Sequence, residues 1–346
     1  VASRAVVLGS VAAEPRGAAL LRAERQRRAA SNKLNYVISI YYVQCMNMSS
    51  NRLAEISAEI SSMGLSLRGV IEGNIGAGKS SVVNIFNKIS GVEAIQESVK
   101  IWEELGILKD FYGDPKKFAL LFQSVAFATR LASTSSSMIT DDSSRVIISE
   151  RSVWADRYCF AENLAEDGTM TEKEIKIYQI WHRILINGHL DKTVPDVIIY
   201  LRASPETCKR RQEIRARKSE DQIPLEYFQK LHSKHEEWLL KDDEWNPIAI
   251  GIPSHELSLT ASGTEIKKTK YMKNAPVFII DIDSDYTNKE EYEIYIAEKL
   301  LEMVEKYGKT KDERIKFDEF LRKKSKFPNE EEIIEFVRQL NNMYSS

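Results

Sequence analysis

Gly73, Asn74, Ile75, Gly76, Ala77, Gly78, Lys79 and Ser80 form a run in which a glycine and four residues precede Gly-Lys-Ser. That spacing suits one task, the cradling of a polyphosphate. The glycines let successive backbone N–H groups turn inward toward phosphate oxygens. The apolar segment Leu67–Glu72 leads into the run, and a helical pattern opens at Lys79 and continues through Ser81 to Ile89. A helix start adds partial positive charge where the phosphates would lie. Lys79 would reach the β- and γ-phosphates, and the Ser80 hydroxyl would ligate Mg²⁺. Binding of ATP or GTP follows. A GTPase would also need Asn-Lys-x-Asp after a later strand. The nearest match, Asn87-Lys88-Ile89-Ser90, lacks the Asp and lies in the first helix.

Three further clusters carry charge to the same place. The apolar run Val92–Ile95 ends in Gln96-Glu97-Ser98, with Trp102 five residues beyond Glu97. The run Arg145–Ser149 ends in Glu150-Arg151. Carboxylates at the C-terminal ends of parallel strands sit where open α/β sheets bind ligands. Arg211 and Arg215 are four apart on a helical pattern, with Arg217 following, so they share a face and one anionic target. Next to a phosphate loop this predicts an arginine lid that neutralises transferring phosphoryl groups.

The rest of the chain must supply the strands and helices that hold these groups. Five short, β-branched runs (Leu67–Glu72, Val92–Ile95, Arg145–Ser149, Asp196–Leu201 and Val277–Ile282) alternate with helical periodicity. Helices are predicted over 79–89, 98–109, 115–136, 154–164, 171–187, 205–216, 224–241 and 289–306. The pattern predicts a five-stranded parallel sheet with helices on both faces. With 43% hydrophobic and 29% charged residues among 346, the chain can build a substantial core and is not disordered. Lys+Arg at 49 against Asp+Glu at 51 gives no reason to expect bulk binding to nucleic acid or membrane. Cys45, Cys159 and Cys208 are far apart and fit a reduced compartment and small buried side chains. A soluble, intracellular protein is the expectation.

The segments Ile71–Ser80, Glu150–Tyr158 (Glu-Arg-Ser-Val-Trp-Ala-Asp-Arg-Tyr) and Ile223–Tyr227 (Ile-Pro-Leu-Glu-Tyr) resemble the deoxyribonucleoside kinase family, and within it the deoxycytidine and deoxyguanosine kinases. The resemblance covers residues 66–306 with its motifs in order and implies a P-loop NTPase-type fold. It implies Mg·ATP-dependent phosphorylation of a deoxynucleoside 5′-hydroxyl, in nucleotide salvage. Glu97 matches the family's general base, and Arg151 would bridge Glu97 and the phosphoryl group. Glu150 matches the acid that organises Mg²⁺ with Ser80; it is alternatively the proton acceptor. Gln123, after Phe122, matches the amide that pairs with the base edge, and an amide presents donor and acceptor together. Phe160 and Trp102 match the walls around the base. Tyr112 and Glu220 match the pair on the sugar 3′-hydroxyl. Ser284, Asp285 and Tyr286 match the loop that contacts adenine. Arg130 and Asp156 match the pair kept by relatives that prefer deoxycytidine or purine deoxynucleosides, so thymidine is expected to be a poor substrate.

Two departures stand out: Ser98 replaces the usual proline after the base, and the insertion 243–275 is longer than in most relatives. A thymidylate kinase-type monophosphate kinase remains the alternative, with Glu97 against it, because a monophosphate acceptor carries its own charge. A nucleotide-binding subunit without catalysis is the non-enzymatic alternative. Residues 1–65 are expected to be a leader: the Arg/Ala-rich stretch 1–30 is either a transit peptide or sequence upstream of a start at Met46 or Met48. The location is accordingly cytoplasmic or mitochondrial. Residues 307–346 are expected to form a charged helical extension. His182, His232 and His235 are expected to be structural, and Trp181 and Trp238 core or interface anchors. The resemblance implies a homodimer formed through helices, with the apolar faces of 154–164 and 171–187 as the candidate surface.

Overall fold

Strand β1 (Leu67–Glu72) shows the logic of the architecture, because its neighbours in sequence enter opposite layers. Val70 packs with Trp102, Phe127 and Trp154 on one side, whereas Leu67 and Ile71 pack with Val82, Phe86 and Leu300 on the other. Strand β4 (Val197–Arg202) divides the same way, Ile198 and Tyr200 against Val197, Ile199 and Leu201. Alternation of this kind buries both faces of a sheet only when helices cover each.

The computed structural model describes residues 51–137, 145–217, 223–240, 275–283 and 289–343. Strands β2 (Val92–Ile95), β3 (Val146–Glu150) and β5 (Val277–Asp281) complete the sheet in the order β2-β3-β1-β4-β5, with every pairing parallel. This is the expected five-stranded parallel sheet, with strand ends moved by one residue at β3, β4 and β5. Glu150 is thereby the last residue of β3.

Around the sheet lie α1 (51–63), α2 (Lys79–Phe86), α3 (Val99–Glu104), α4 (Ile107–Gly113) and α5 (Pro115–Ser137). After β3 come α6 (Val153–Ala155), a π-helix (Asp156–Ala161), α7 (Glu162–Glu166), α8 (Glu172–Gly188) and α9 (Leu190–Thr193). Helices α10 (Pro205–Arg215), α11 (Leu225–Leu240), α12 (Lys289–Tyr307), α13 (Lys311–Lys324) and α14 (Glu330–Met343) follow. Capping boxes start two of them, Thr171 with Glu174 at α8 and Thr310 with Glu313 at α13.

The helix expected at 154–164 is interrupted by the π turn at Asp156–Ala161, where widened backbone spacing lets Asp156 and Phe160 both line one cleft. Part of the stretch expected to be a leader packs on the core: a compact unit begins at Leu53, and Ile56 and Ile60, one turn apart on α1, are buried. The charged tail is tied in. Lys309 and Arg314 both pair with fully buried Asp196, Arg68 forms a two-pronged pair with Asp318 at 2.7 Å, and Leu321 enters the core. The leader's residues 1–50 and residues 243–274 of the insertion lie outside the described residues.

Candidate active site

Strands β2, β3 and β1 are neighbours in the sheet, and each ends in a different reagent. Beyond β2 stands Glu97, at the end of β3 stand Glu150 and Arg151, and beyond β1 begins the glycine loop. Parallel strands put all of these at one edge.

The loop is held open by backbone geometry. Gly73, Gly76 and Gly78 have φ of 145°, 75° and 91°, a region that L side chains rarely adopt. A methyl group at Gly76 would drive into the Cys208 carbonyl of α10, so the loop lies directly on that helix. Asn74 pins it from beneath, with Nδ2 donating to Phe228 O at 2.8 Å and Oδ1 accepting from Ile75 N at 2.8 Å. Gly78 caps α2 without a side chain, which leaves the first amides of that helix to face an anion. Ala77 is buried beneath the loop, and Ser81 continues α2. Lys79 Nζ donates to Gly73 O at 3.1 Å and Asn74 O at 2.7 Å. Burial, helped by Arg151, lowers its pKa to about 8.

Ser80 Oγ donates to Glu150 Oε1 at 2.9 Å. The other oxygen of Glu150 faces the Glu97 amide at 3.5 Å. Glu97 Oε1 accepts from Arg130 Nη2 and, at 3.2 Å, from Arg151 Nε. Burial alone would raise the pKa of Glu97, but Arg151, Arg130 and Lys79 overcome it and hold the carboxyl at about 2. Arg151 also donates through Nη1 to Gly73 O at 3.1 Å and lies 4.5 Å over the Phe160 ring. Arg130 pairs on its other side with Asp156. Burial disfavours the Arg130 charge, yet Asp156 and Glu97 keep its pKa above the ordinary guanidinium value. Asp156 is pushed up to about 6, burial outweighing the attraction of Arg130.

These groups line one cleft. Its far wall is α5, where Phe122, Ala126 and Arg130 recur every fourth residue on one face. Phe122 stacks on Phe111 at 4.8 Å and meets the edge of Trp102 at 5.4 Å. Gln123 also lines the cleft, is 2% exposed, and its Oε1 has no partner among the described residues. A buried amide oxygen left unpaired is costly, and a ligand edge bearing an N–H would satisfy it.

Of the expected site residues, Ile75, Gly76, Lys79, Ser80, Glu97, Trp102, Tyr112, Phe122, Gln123, Arg130, Glu150, Arg151, Asp156, Phe160, Arg215 and Arg217 meet in this cleft. Arg211 does not line it; its Nη2 donates to Ile282 O at 2.8 Å. Arg217 is 3.5 Å from Glu103. Glu220, Ser284, Asp285 and Tyr286 lie outside the described residues. Ser98 Oγ lies 3.2 Å from Ser133 Oγ, which ties the Glu97 loop to α5.

Val99, Leu108, Phe111, Ala126 and Tyr227 line the cleft without having been singled out for it. Ala126 was legible as the middle of the 122–126–130 face, and Tyr227 closes a segment already noted. His182 and His235 are buried core residues, and desolvation lowers both to about 3.

The profile of the deoxynucleoside kinase family matches residues 70–305. Deoxycytidine kinase of Rattus norvegicus is 36% identical over 243 residues, covering 64% of this chain and 85% of its own length. Deoxycytidine kinase of Homo sapiens is 35% identical, with the same coverage of 64% and 85%. Mitochondrial deoxyguanosine kinase of Xenopus laevis is 30% identical over 262 residues, covering 70% of this chain and 87% of its own length.

Proposed function

This chain belongs to the deoxynucleoside kinase family, and from that premise we propose that it moves the γ-phosphoryl group of Mg·ATP to the 5′-hydroxyl of deoxycytidine, of purine deoxynucleosides, or of both. It is a kinase of nucleoside salvage. The observation that carries the substrate reading is the Glu97 carboxylate, held ionised by two arginines in the same cleft as the unpaired Gln123 oxygen. An uncharged alcohol is drawn to such a carboxylate, whereas a nucleoside monophosphate is repelled by it.

On this reading the loop amides and Lys79 grip the triphosphate, and Arg151, Arg215 and Arg217 offset its charge. Ser80 Oγ and Glu150 Oε1 are hard oxygen donors of the kind Mg²⁺ takes, and they would hold the ion. When bound, Mg²⁺ neutralises charge on the β- and γ-phosphate oxygens. Glu97 accepts a hydrogen bond from the 5′-hydroxyl. With so low a proton affinity it orients that hydroxyl for most of the reaction and takes its proton late, as the new P–O bond forms. The Glu150 oxygens are engaged by Ser80 and by the Glu97 amide, which favours Glu97 as acceptor. Gln123 pairs with the base edge between Trp102, Phe122 and Phe160. Tyr112, with Glu220, takes the sugar, and Ser284, Asp285 and Tyr286 take the adenine of ATP.

A coupled assay over the deoxynucleosides and dCMP tests the reading. Turnover of deoxycytidine or a purine deoxynucleoside, with none of dCMP, is expected; the reverse pattern would sink it. A homodimer is part of the proposal, supported by Leu121 of α5 and Trp181 of α8, which are 52% and 44% exposed. Sedimentation at twice the 39.6 kDa chain mass checks it. Among the described residues no helix is long and apolar enough to cross a membrane. The proposed locations are the cytoplasm or the mitochondrion, the latter supported by the Xenopus relative.

A further inference from the structure

Glu72 closes β1 just before the glycine loop and is fully buried, behind the cleft rather than in its wall. The parallel pairing of β1 with β3 runs as far as Ile71 opposite Glu150, and its last backbone bond joins Arg151 N to Ile71 O at 2.8 Å. The following amide, Ser152 N, lies past the end of that ladder, where Arg151 turns the chain out of the strand. It donates instead to Oε1 of Glu72 at 2.9 Å. Between these two bonds Arg151 is held at φ 65°, a left-handed conformation that costs a non-glycine residue about 1–2 kcal/mol. Ser152 in turn caps α6, its Oγ accepting from Trp154 N at 3.2 Å and Ala155 N at 3.3 Å, and α6 leads directly into Asp156.

We propose that Glu72 is a positioning residue whose Oε1 anchors the Ser152 amide and so fixes the turn that sets Arg151 against Glu97 and Asp156 against Arg130. Only one atom of the carboxyl is used. Its other oxygen, Oε2, has no partner among the described residues. Burial, against the pull of Arg151, raises the pKa to about 7, and an acceptor oxygen is present in either protonation state.

The test compares Glu72→Gln, which keeps an oxygen acceptor, with Glu72→Met, which keeps the bulk and removes it. Both are made in the full chain and read by deoxynucleoside kinase assay and by amide hydrogen exchange. Glu72→Gln should stay within about threefold of the parent kcat and keep the Ser152 amide protected. Glu72→Met should lose about 30-fold or more in kcat, with KM for ATP within about threefold, and lose that protection. A kcat loss of about tenfold or more in Glu72→Gln overturns the proposal, as does parental kcat in Glu72→Met. If circular dichroism shows Glu72→Met unfolded, Glu72→Gln decides alone. The kinetic arm rests on the proposed substrate reading, but the exchange arm does not. A parent inactive on every deoxynucleoside defeats that reading, whereas Ser152 protection unchanged between parent and folded Glu72→Met defeats this one.

Discussion

Arg151 Nε donates to Glu97 Oε1 at 3.2 Å, while Nη1 of the same guanidinium reaches Gly73 O at 3.1 Å. One side chain therefore bridges the carboxylate proposed to face the acceptor alcohol and the loop proposed to hold the donor phosphates. Alignment of the two substrates is built into a single rigid fork.

Replacing Glu97 with Gln preserves its shape and removes the anionic acceptor. We expect kcat to fall about 10²-fold or more while the Kd for deoxynucleoside stays within a few-fold. Calorimetric titration beside the kinase assay separates the two effects. An unchanged kcat would pass the proton to Glu150 or to solvent.

Gln123→Leu removes the buried amide that presents an unpaired oxygen to the cleft. A base edge facing a leucine leaves its own polar atoms unpaired, so KM for deoxynucleoside should rise about 10–100-fold, with a smaller change in kcat. Equal KM values would remove Gln123 from base recognition.

Arg130 and Asp156 are both buried and paired, so single substitutions would strand a charge. Arg130→Met combined with Asp156→Ala removes both and opens space beside the base. The double variant should raise kcat/KM for thymidine relative to deoxycytidine by about tenfold or more, a discrimination of the size that pocket shape supplies. Competition between the two nucleosides reads it directly, and an unchanged ratio would place the discrimination elsewhere.

The parts of this site that were legible in the sequence are those written in contiguous residues. Gly73 to Ser80 announces its loop because the chemistry is a backbone conformation, and Glu97, Glu150 and Arg151 follow strand-like runs that fix their edge of the sheet. What escaped depends on packing. A π turn at Asp156–Ala161 has the composition of an ordinary helix, and only the demand that Asp156 and Phe160 share a wall distinguishes it. Arg314 and Asp318, four apart on α13, read as a solvated surface pair, yet Arg314 is 4% exposed because Asp196 lies beneath it. Leu108 lay at the end of the helix expected over 98–109 and Phe111 beyond it; that both face the cleft is settled by α4 packing on α5, which no local periodicity records.

Asp196 makes the fold sensitive to acid in a definite direction. Burial would raise its pKa, but Arg314 and Lys309 hold it near 2, below its ordinary 3.8. The folded protein therefore binds this proton less tightly than the unfolded chain. Its contribution, about 2 kcal/mol, is present above about pH 4 and lost as pH falls toward 2. Asp196→Asn should remove that part of the acid dependence and, by taking the buried anion from Lys309 and leaving Arg314 only Asp318 at 3.7 Å, cost about 3 kcal/mol at neutral pH. Urea unfolding at pH 7 and pH 3 measures both; parallel curves for parent and variant would refute the assignment.

The same aspartate is made 118 residues before Arg314. Until the C-terminal segment has been translated, the sheet would have to close over a carboxylate lacking its cations, which costs several kcal/mol. The residues after Tyr307 are therefore part of the folding unit and not an appendage to it, because they carry the cations that a buried carboxylate of the sheet requires.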